Sequence, residues 1–135
     1  MSELHLDDDP KWSDDERSIA EALRDAGIRV SGGGENEHNN RRPDFTLDDG
    51  LKADGKTLRP GAGSGTMVNR AKEVVAKEQA RVVVFDLRRC GLGRAEAERG
   101  IRRIAGAYGK SGVYHHHLDR IIVIGDGYYL DEVIG

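Results

Sequence analysis

PDFTLDDGLKADGK, residues 43–56, holds two Asp-Gly pairs and a lysine within a few positions of one another. Asp-Gly is a strong turn signal, and both pairs cannot turn the same hairpin. A turn at Asp54-Gly55 would leave Asp48-Asp49-Gly50 inside the preceding strand and break it. A turn at 48–50 leaves usable strands on both sides. The stretch therefore predicts one hairpin, with Asp44-Phe45-Thr46-Leu47 as its first strand and residues 51–58 returning.

That choice fixes where the side chains point. Successive strand residues alternate between faces, so Asp54 and Lys56 share a face. Asp44, at the start of the paired strand, can lie beside them. Two carboxylates in one pocket repel each other unless a cation intervenes. Hard divalent ions take such oxygen ligands and keep several waters. The expected ion is Mg²⁺ or another divalent cation (Mn²⁺, Zn²⁺), with Asp44 and Asp54 as ligands. It would polarise a phosphodiester and activate a bound water, and Lys56 would oppose the charge that develops.

Outward from the hairpin, the order of elements is readable. Ser13-Asp14-Asp15-Glu16 has capping-box spacing. Ile19, Ala22, Leu23 and Ala26 follow at helical spacing, and Gly27 ends the helix. Ile28 and Val30 begin a short strand. After the hairpin, Thr66 can cap a helix that buries Met67, Ala71, Val74 and Val75. The apolar run 81–87 predicts a strand covered on both faces. A helix bearing Ala97, Ile101, Ile104, Ala105 and Tyr108 follows, then a strand at 121–124, a turn at Asp126-Gly127 and an edge strand at 128–130. The order α-β-β-β-α-β-α-β-β implies an α/β (α+β) mixed sheet flanked by helices, made of a three-strand meander and a helix-strand crossover. Residues 1–12 read as a flexible acidic lead-in and 13–135 as one domain.

The glycine-rich segments carry no nucleotide fingerprint. SGGGENEHNNRR (31–42) lacks G-x-G-x-x-G opening a helix, and RPGAGSG (59–65) lacks Gly-Lys-Ser/Thr.

The chain has 135 residues, 37% apolar and 33% charged, with a formal net charge of −3. Total charge does not announce nucleic-acid binding, but its distribution is uneven. Residues 1–16 hold seven acidic side chains against Lys11, and residues 70–110 hold eleven Lys or Arg against five Asp or Glu. The basic half offers Lys72, Lys77, Arg88 and Arg89 as nucleic-acid contacts, Arg by forked bonds to phosphate; solvated faces would carry the same charges. Thr57 and Ser64 are further phosphate candidates. Trp12, Tyr128 and Tyr129 could stack on bases. The three consecutive histidines 115–117 alternate faces in a strand, so they do not suit one ion. The single cysteine, Cys90, excludes an internal disulfide and a Cys-cluster zinc site. No apolar run approaches the roughly 18 residues of a membrane span, and the start lacks the basic and apolar regions of a signal peptide. Action in the cytoplasm is the expectation.

Pro43-Asp44, nine residues, then Asp54-Gly55-Lys56 matches the PD-(D/E)xK nuclease signature literally. From Glu16 to about Ile124 the chain also resembles the C-terminal tRNA-nuclease domains of contact-dependent growth inhibition toxins. The resembling stretches are ERSIAEALRDAGIRV, the 43–56 hairpin, TMVNRAKEVVAKEQA running into RVVVFDLRR, and RGIRRIAG. The resemblance implies a PD-(D/E)xK core and a tRNA substrate. It also implies a cognate immunity protein, and action in the cytoplasm of a target cell. It makes Glu16 a candidate extra catalytic carboxylate, although the capping box already explains that residue; Glu35 and Glu37 are alternatives. Two departures stand out. Asp54 replaces the usual Glu and reaches about one bond less far, and Gly55 weakens a strand interior. A DNA endonuclease of the same superfamily, or a non-catalytic binding member, would carry the same residues.

Overall fold

A computed structural model describes residues 11–32, 43–78, 80–109 and 116–134. Helix α1 (Asp14–Asp25) is followed by strands β1 (Val30–Gly32), β2 (Phe45–Leu47) and β3 (Lys52–Thr57). Helix α2 (Ser64–Lys77), strand β4 (Val82–Asp86), helix α3 (Arg94–Tyr108), and strands β5 (Arg120–Ile124) and β6 (Tyr129–Val133) complete the order. This is the expected sequence of elements. They form one six-stranded sheet in the order β1-β2-β3-β4-β5-β6. β1, β2 and β3 pair antiparallel, β3, β4 and β5 pair parallel, and β6 returns antiparallel. The mixed sheet is thus the meander plus crossover read from the sequence.

The single turn at 48–50 holds. Gly50 has φ +83°, which glycine adopts without steric cost, and its N–H donates to Leu47 O at 2.9 Å. Leu47 N–H in turn donates to Leu51 O at 3.0 Å. The second Asp-Gly lies within β3.

Alternation along the strands sorts two cores. Val82 and Val84 of β4 join Ile122, Ile124, Phe45 and Ala53 under Ile19, Ala20 and Leu23 of α1. Val83 and Phe85 face the other way, with Ile121 and Val123, against Met67, Ala71 and Val74 of α2 and Ala97, Ile101 and Ile104 of α3. Helices α2 and α3 meet closely because position 100 is glycine: a Cβ there would lie 2.6 Å from Met67 Sδ.

Two local expectations are corrected. Helix α2 begins at Ser64 with Gly63 as its cap, and Thr66 sits inside the first turn, its Oγ1 accepting from Gly63 N–H at 3.2 Å. Ser64 does not need to remain outside, because its buried hydroxyl accepts from Arg103 Nη1 at 3.2 Å. Trp12 is not the end of a loose lead-in. It is 4% exposed and packs on Phe45 with ring centroids 5.3 Å apart. A large aromatic at the edge of the α1 core gains more from that burial than from water.

Candidate active site

The register places the hairpin residues. In the parallel pairing, Asp54 lies beside Val83 and Lys56 beside Phe85, the face that meets α2. Gly55 lies beside Val84, toward α1. Phe45 pairs with Ala53 on that same α1 side, so alternation turns Asp44 to the face of Asp54 and Lys56. Where the β2 ladder ends, the Asp44 side chain continues it: Oδ2 accepts from Gly55 N–H at 2.9 Å.

Gly55 is explained by space. A Cβ there would lie 2.9 Å from both Ile19 Cδ1 and Phe45 Cε2. Helix α1 and the Phe45 ring occupy the volume a side chain would need. The glycine lets α1 sit close enough for its first turn to reach the hairpin.

That first turn carries Glu16. Its Oε1 accepts from Ser13 N–H at 2.8 Å and Ser13 Oγ accepts from Glu16 N–H at 3.1 Å, a complete capping box. Its carboxyl is also close enough to Asp44 to favour the protonated form of that aspartate. Capping and proximity to Asp44 are therefore compatible in one side chain.

Two carboxyls, those of Asp54 and Glu16, thus converge on Asp44. Burial first, then the carboxyl of Asp54, and then that of Glu16 push Asp44 up to about 9, although Gly55 N–H pulls it down. Its protonated form is thereby favoured. Asp54 is 3% exposed. Its Oδ2 lies 3.1 Å from Lys56 Nζ, yet no donor is aligned on it, and it is one of the few buried side-chain oxygens without a hydrogen bond among the described residues. Thr57 Oγ1, three residues along the same strand, is another. Lys56 is also 4.0 Å from Glu73 of α2, which Arg70 grips through both oxygens at 3.1 and 2.9 Å.

Among the described residues, no group of three or more His, Cys, Asp or Glu side chains is placed to hold a metal ion. Mg²⁺ asks for less: one or two carboxylates, with waters and substrate phosphate completing the shell. A buried oxygen of Asp54 with no aligned donor, beside a carboxyl whose protonated form is favoured, fits such an ion. Glu16 and Lys56 open onto a cleft of about 510 Å³, which Arg59, Thr66 and Arg70 also line.

The model of the contact-dependent growth inhibition CdiA C-terminal domain family matches residues 41–128, the segment that contains this hairpin. The chain belongs to that family. A solved CdiA-CT/CdiI toxin and immunity complex from Burkholderia pseudomallei has a chain similar to it, with TM-score 0.66 at 21% identity over 93% of this chain and 92% of that one. At that identity the likeness speaks for the fold. No curated protein matches. Among the described residues, no helix is long and apolar enough to cross a membrane.

The remaining candidates of this CdiA C-terminal domain separate. Arg88 is a strut: Nε and Nη2 donate to Asp86 Oδ1 and Oδ2 at 2.8 Å each, and Nη2 reaches Ser18 Oγ at 2.9 Å. Asp86 is 2% exposed, and Arg88 holds its carboxyl below the usual carboxylate range despite burial. Pulling Arg88 onto a phosphate would strand that charge. Arg89 is exposed and donates to Asp15 Oδ1 at 3.2 Å. Lys72 and Lys77 are exposed on α2 and neither lines the cleft.

Tyr128 is not available for stacking as expected: its hydroxyl donates to Leu92 O at 2.7 Å and its ring lies over Gly125. Tyr129 is exposed. Glu35, Glu37 and His115 lie outside the described residues. His116 Nε2 is 2.6 Å from Ala80 O and His117 Nε2 is 3.2 Å from Asp119 Oδ1, so both rings have protein partners.

Sequence reasoning missed Asp15 and Glu73, and it offered Trp12 for stacking on bases although its ring is buried. Trp12 Nε1–H donates to Asp44 O at 2.8 Å and so holds the backbone of the first aspartate. The sequence did carry one signal for Glu73, its i,i+3 spacing from Arg70.

Proposed function

We propose that this CdiA C-terminal domain is a metal-dependent endoribonuclease of the PD-(D/E)xK type that cleaves tRNA as the toxic domain of a contact-dependent growth inhibition system. The observation that carries the proposal is the convergence of the buried carboxyls of Asp44 and Asp54, the latter with an oxygen on which no donor is aligned, beside the ammonium of Lys56. A divalent ion bound there supplies Lewis-acid polarisation of the phosphodiester and acidifies a bound water.

The chain's own groups do the rest. Asp44 and Asp54 would hold the ion, with Asp44 kept in place by Gly55 N–H and, through its backbone, by Trp12. Asp54 offers a buried oxygen that has Lys56 nearby but no aligned hydrogen-bond donor. Lys56 stands 3.1 Å from Asp54 and 22% exposed toward the cleft, where it can orient the attacking water and oppose charge on the phosphate. Glu73 shares the ammonium and keeps it at the strand rather than in solvent. Glu16 approaches Asp44 from α1. Asp in place of Glu on β3 is matched by a closely packed α1, which Gly55 permits. The tRNA substrate rests on the sequence resemblance, and the toxin role and a cognate immunity protein on the family and on the similar toxin and immunity complex.

The test is cleavage of tRNA with Mg²⁺ or Mn²⁺, with supercoiled plasmid in parallel. Asp44→Asn, Asp54→Asn and Lys56→Met should each lower tRNA cleavage by about 10²–10³-fold, the cost of losing one preorganised electrostatic group. Equal cleavage by all four proteins sinks the site. Cut plasmid beside intact tRNA moves the substrate to DNA. Mn²⁺ that binds with no cleavage of either substrate makes the domain a non-catalytic binder.

A further inference from the structure

At the cleft, Arg59 is paired with a carboxylate that also holds Arg89, in the geometry of an oxyanion complex. Asp15, in the first turn of α1, uses both oxygens: Oδ2 accepts from Arg59 Nη2 at 2.8 Å and Oδ1 from Arg89 Nη1 at 3.2 Å. The arginines come from segments far apart in sequence, the β3–α2 and β4–α3 connections. Their side chains are 62% and 55% exposed, and that of Asp15 is 32% exposed. Pairs this solvated add little to stability, so holding the fold together is a weak reason for the arrangement. Asp15 and Arg59 line the cleft next to Glu16 and Lys56.

Two guanidiniums on the two oxygens of one exposed carboxylate form the arrangement that the two non-bridging oxygens of a phosphodiester also accept. We propose that Arg59 and Arg89 form a phosphate subsite for the nucleic-acid backbone beside the scissile position, and that Asp15 is its built-in competitor. This rests on the assignment of the cleft to nucleic acid. When a strand enters, phosphate replaces carboxylate and both guanidiniums stay paired. The released Asp15 remains at the N-terminus of α1, where the helix dipole favours a negative charge. Arg88 cannot make the same exchange, because its partner Asp86 is buried. The two adjacent arginines of the sequence therefore divide, one into the fold and one into the subsite.

The experiment is tRNA binding to the Asp54→Asn protein by fluorescence anisotropy, from about 50 to about 200 mM salt, a range over which phosphate contacts are strongly weakened. Arg59→Ala and Arg89→Ala in that background should each weaken binding several-fold and reduce the slope of log K against log salt by about 1. Asp15→Asn should tighten binding several-fold. The same series on the chain with native Asp54, in EDTA, repeats the comparison without relying on that substitution. Asp15→Asn that binds no tighter than its parent overturns the subsite, as do arginine variants that keep the parent's slope. The readout is binding alone. Held but uncut tRNA with the expected slopes refutes the nuclease and leaves the subsite standing, and cut tRNA with unaltered slopes does the opposite.

Discussion

Asp54 and Asp86 sit on neighbouring parallel strands and are buried almost equally, 3% and 2% exposed. Asp86 has a full complement: Arg88 forks onto both oxygens and Arg88 N–H adds a third bond at 3.1 Å. Asp54 has a lysine 3.1 Å away, an unaligned oxygen and the Asp44 carboxyl nearby. Burial of a charge costs free energy in either place. At β4 the protein offsets that cost internally. At β3 a single lysine opposes it without an aligned hydrogen bond, and the neighbouring carboxyls favour a proton on Asp44. The same residue type at the same depth is thus a fully bonded ion pair on one strand and, on the next, the carboxylate proposed as a metal ligand.

The largest stability effect should come from breaking the satisfied side. Arg88→Ala leaves Asp86 buried without its fork and should cost about 3 kcal/mol in denaturant unfolding. Asp54→Asn relieves the crowding of Asp44 while losing the Lys56 ion pair, so the metal-free protein should lose far less stability than Arg88→Ala does. Asp54→Asn that destabilises as much as Arg88→Ala would dissolve the contrast. The pH arms run in opposite directions. The Asp86 carboxyl titrates below its ordinary range, so its contribution is present above the unfolded value and is lost as pH falls through the folded one. Asp44 is raised from 3.8 to about 9. Its folded state keeps the proton that the unfolded chain has released, so metal-free stability declines as pH rises from about 4 to about 9. Asp44→Asn should flatten that decline, and Mn²⁺ should restore the stability of wild type while releasing a proton.

Much of this was legible in the sequence. The element order followed from hydrophobic periodicity, and the apolar 81–87 run gave the central strand, seen at Val82–Asp86 with all five residues buried. Choosing one turn from two Asp-Gly pairs was enough to bring Asp44, Asp54 and Lys56 to one face, because strand alternation is a local rule. What stayed hidden depends on contacts between distant segments. Asp15 meets Arg59 and Arg89 across 44 and 74 residues, and no local pattern announces either. Trp12 reaches Asp44 across 32 residues, and its acidic surroundings suggest disorder. Gly55 looked like a weakness because strand propensity counts only its own chain, whereas Ile19 and Phe45 fill the space beside it.

That close approach sets the next effect. Gly55→Ala would place a methyl 2.9 Å from Ile19 Cδ1 and from the Phe45 ring edge, both buried. Ile19 can turn its terminal carbon aside, but the ring cannot shrink. Overpacking of this kind should cost about 2 kcal/mol, read as a lower denaturation midpoint. It should also lift the first turn of α1, and Glu16 with it, so cleavage should fall further than the lost stability explains. A Gly55→Ala protein as stable as wild type would mean that α1 yields freely and that the glycine is not what seats it.

The smallest effect tests how the unsatisfied side is held. Trp12→Phe keeps an aromatic against Phe45 but removes the Nε1–H bond to Asp44 O. Losing one such bond while leaving its acceptor partly buried should cost about 1 kcal/mol, which corresponds to about a fivefold change in an equilibrium constant. If Trp12 acts by fixing the Asp44 backbone, Mn²⁺ affinity measured by calorimetry should drop by a similar factor, and cleavage at saturating Mn²⁺ should largely recover. Arg88 lies on the satisfied side, so its conservative change to Lys should lower stability and leave Mn²⁺ affinity unchanged. Trp12→Phe with reduced stability and unaltered Mn²⁺ affinity would make the tryptophan part of the α1 core alone, and the first aspartate would then owe its position to Gly55 N–H.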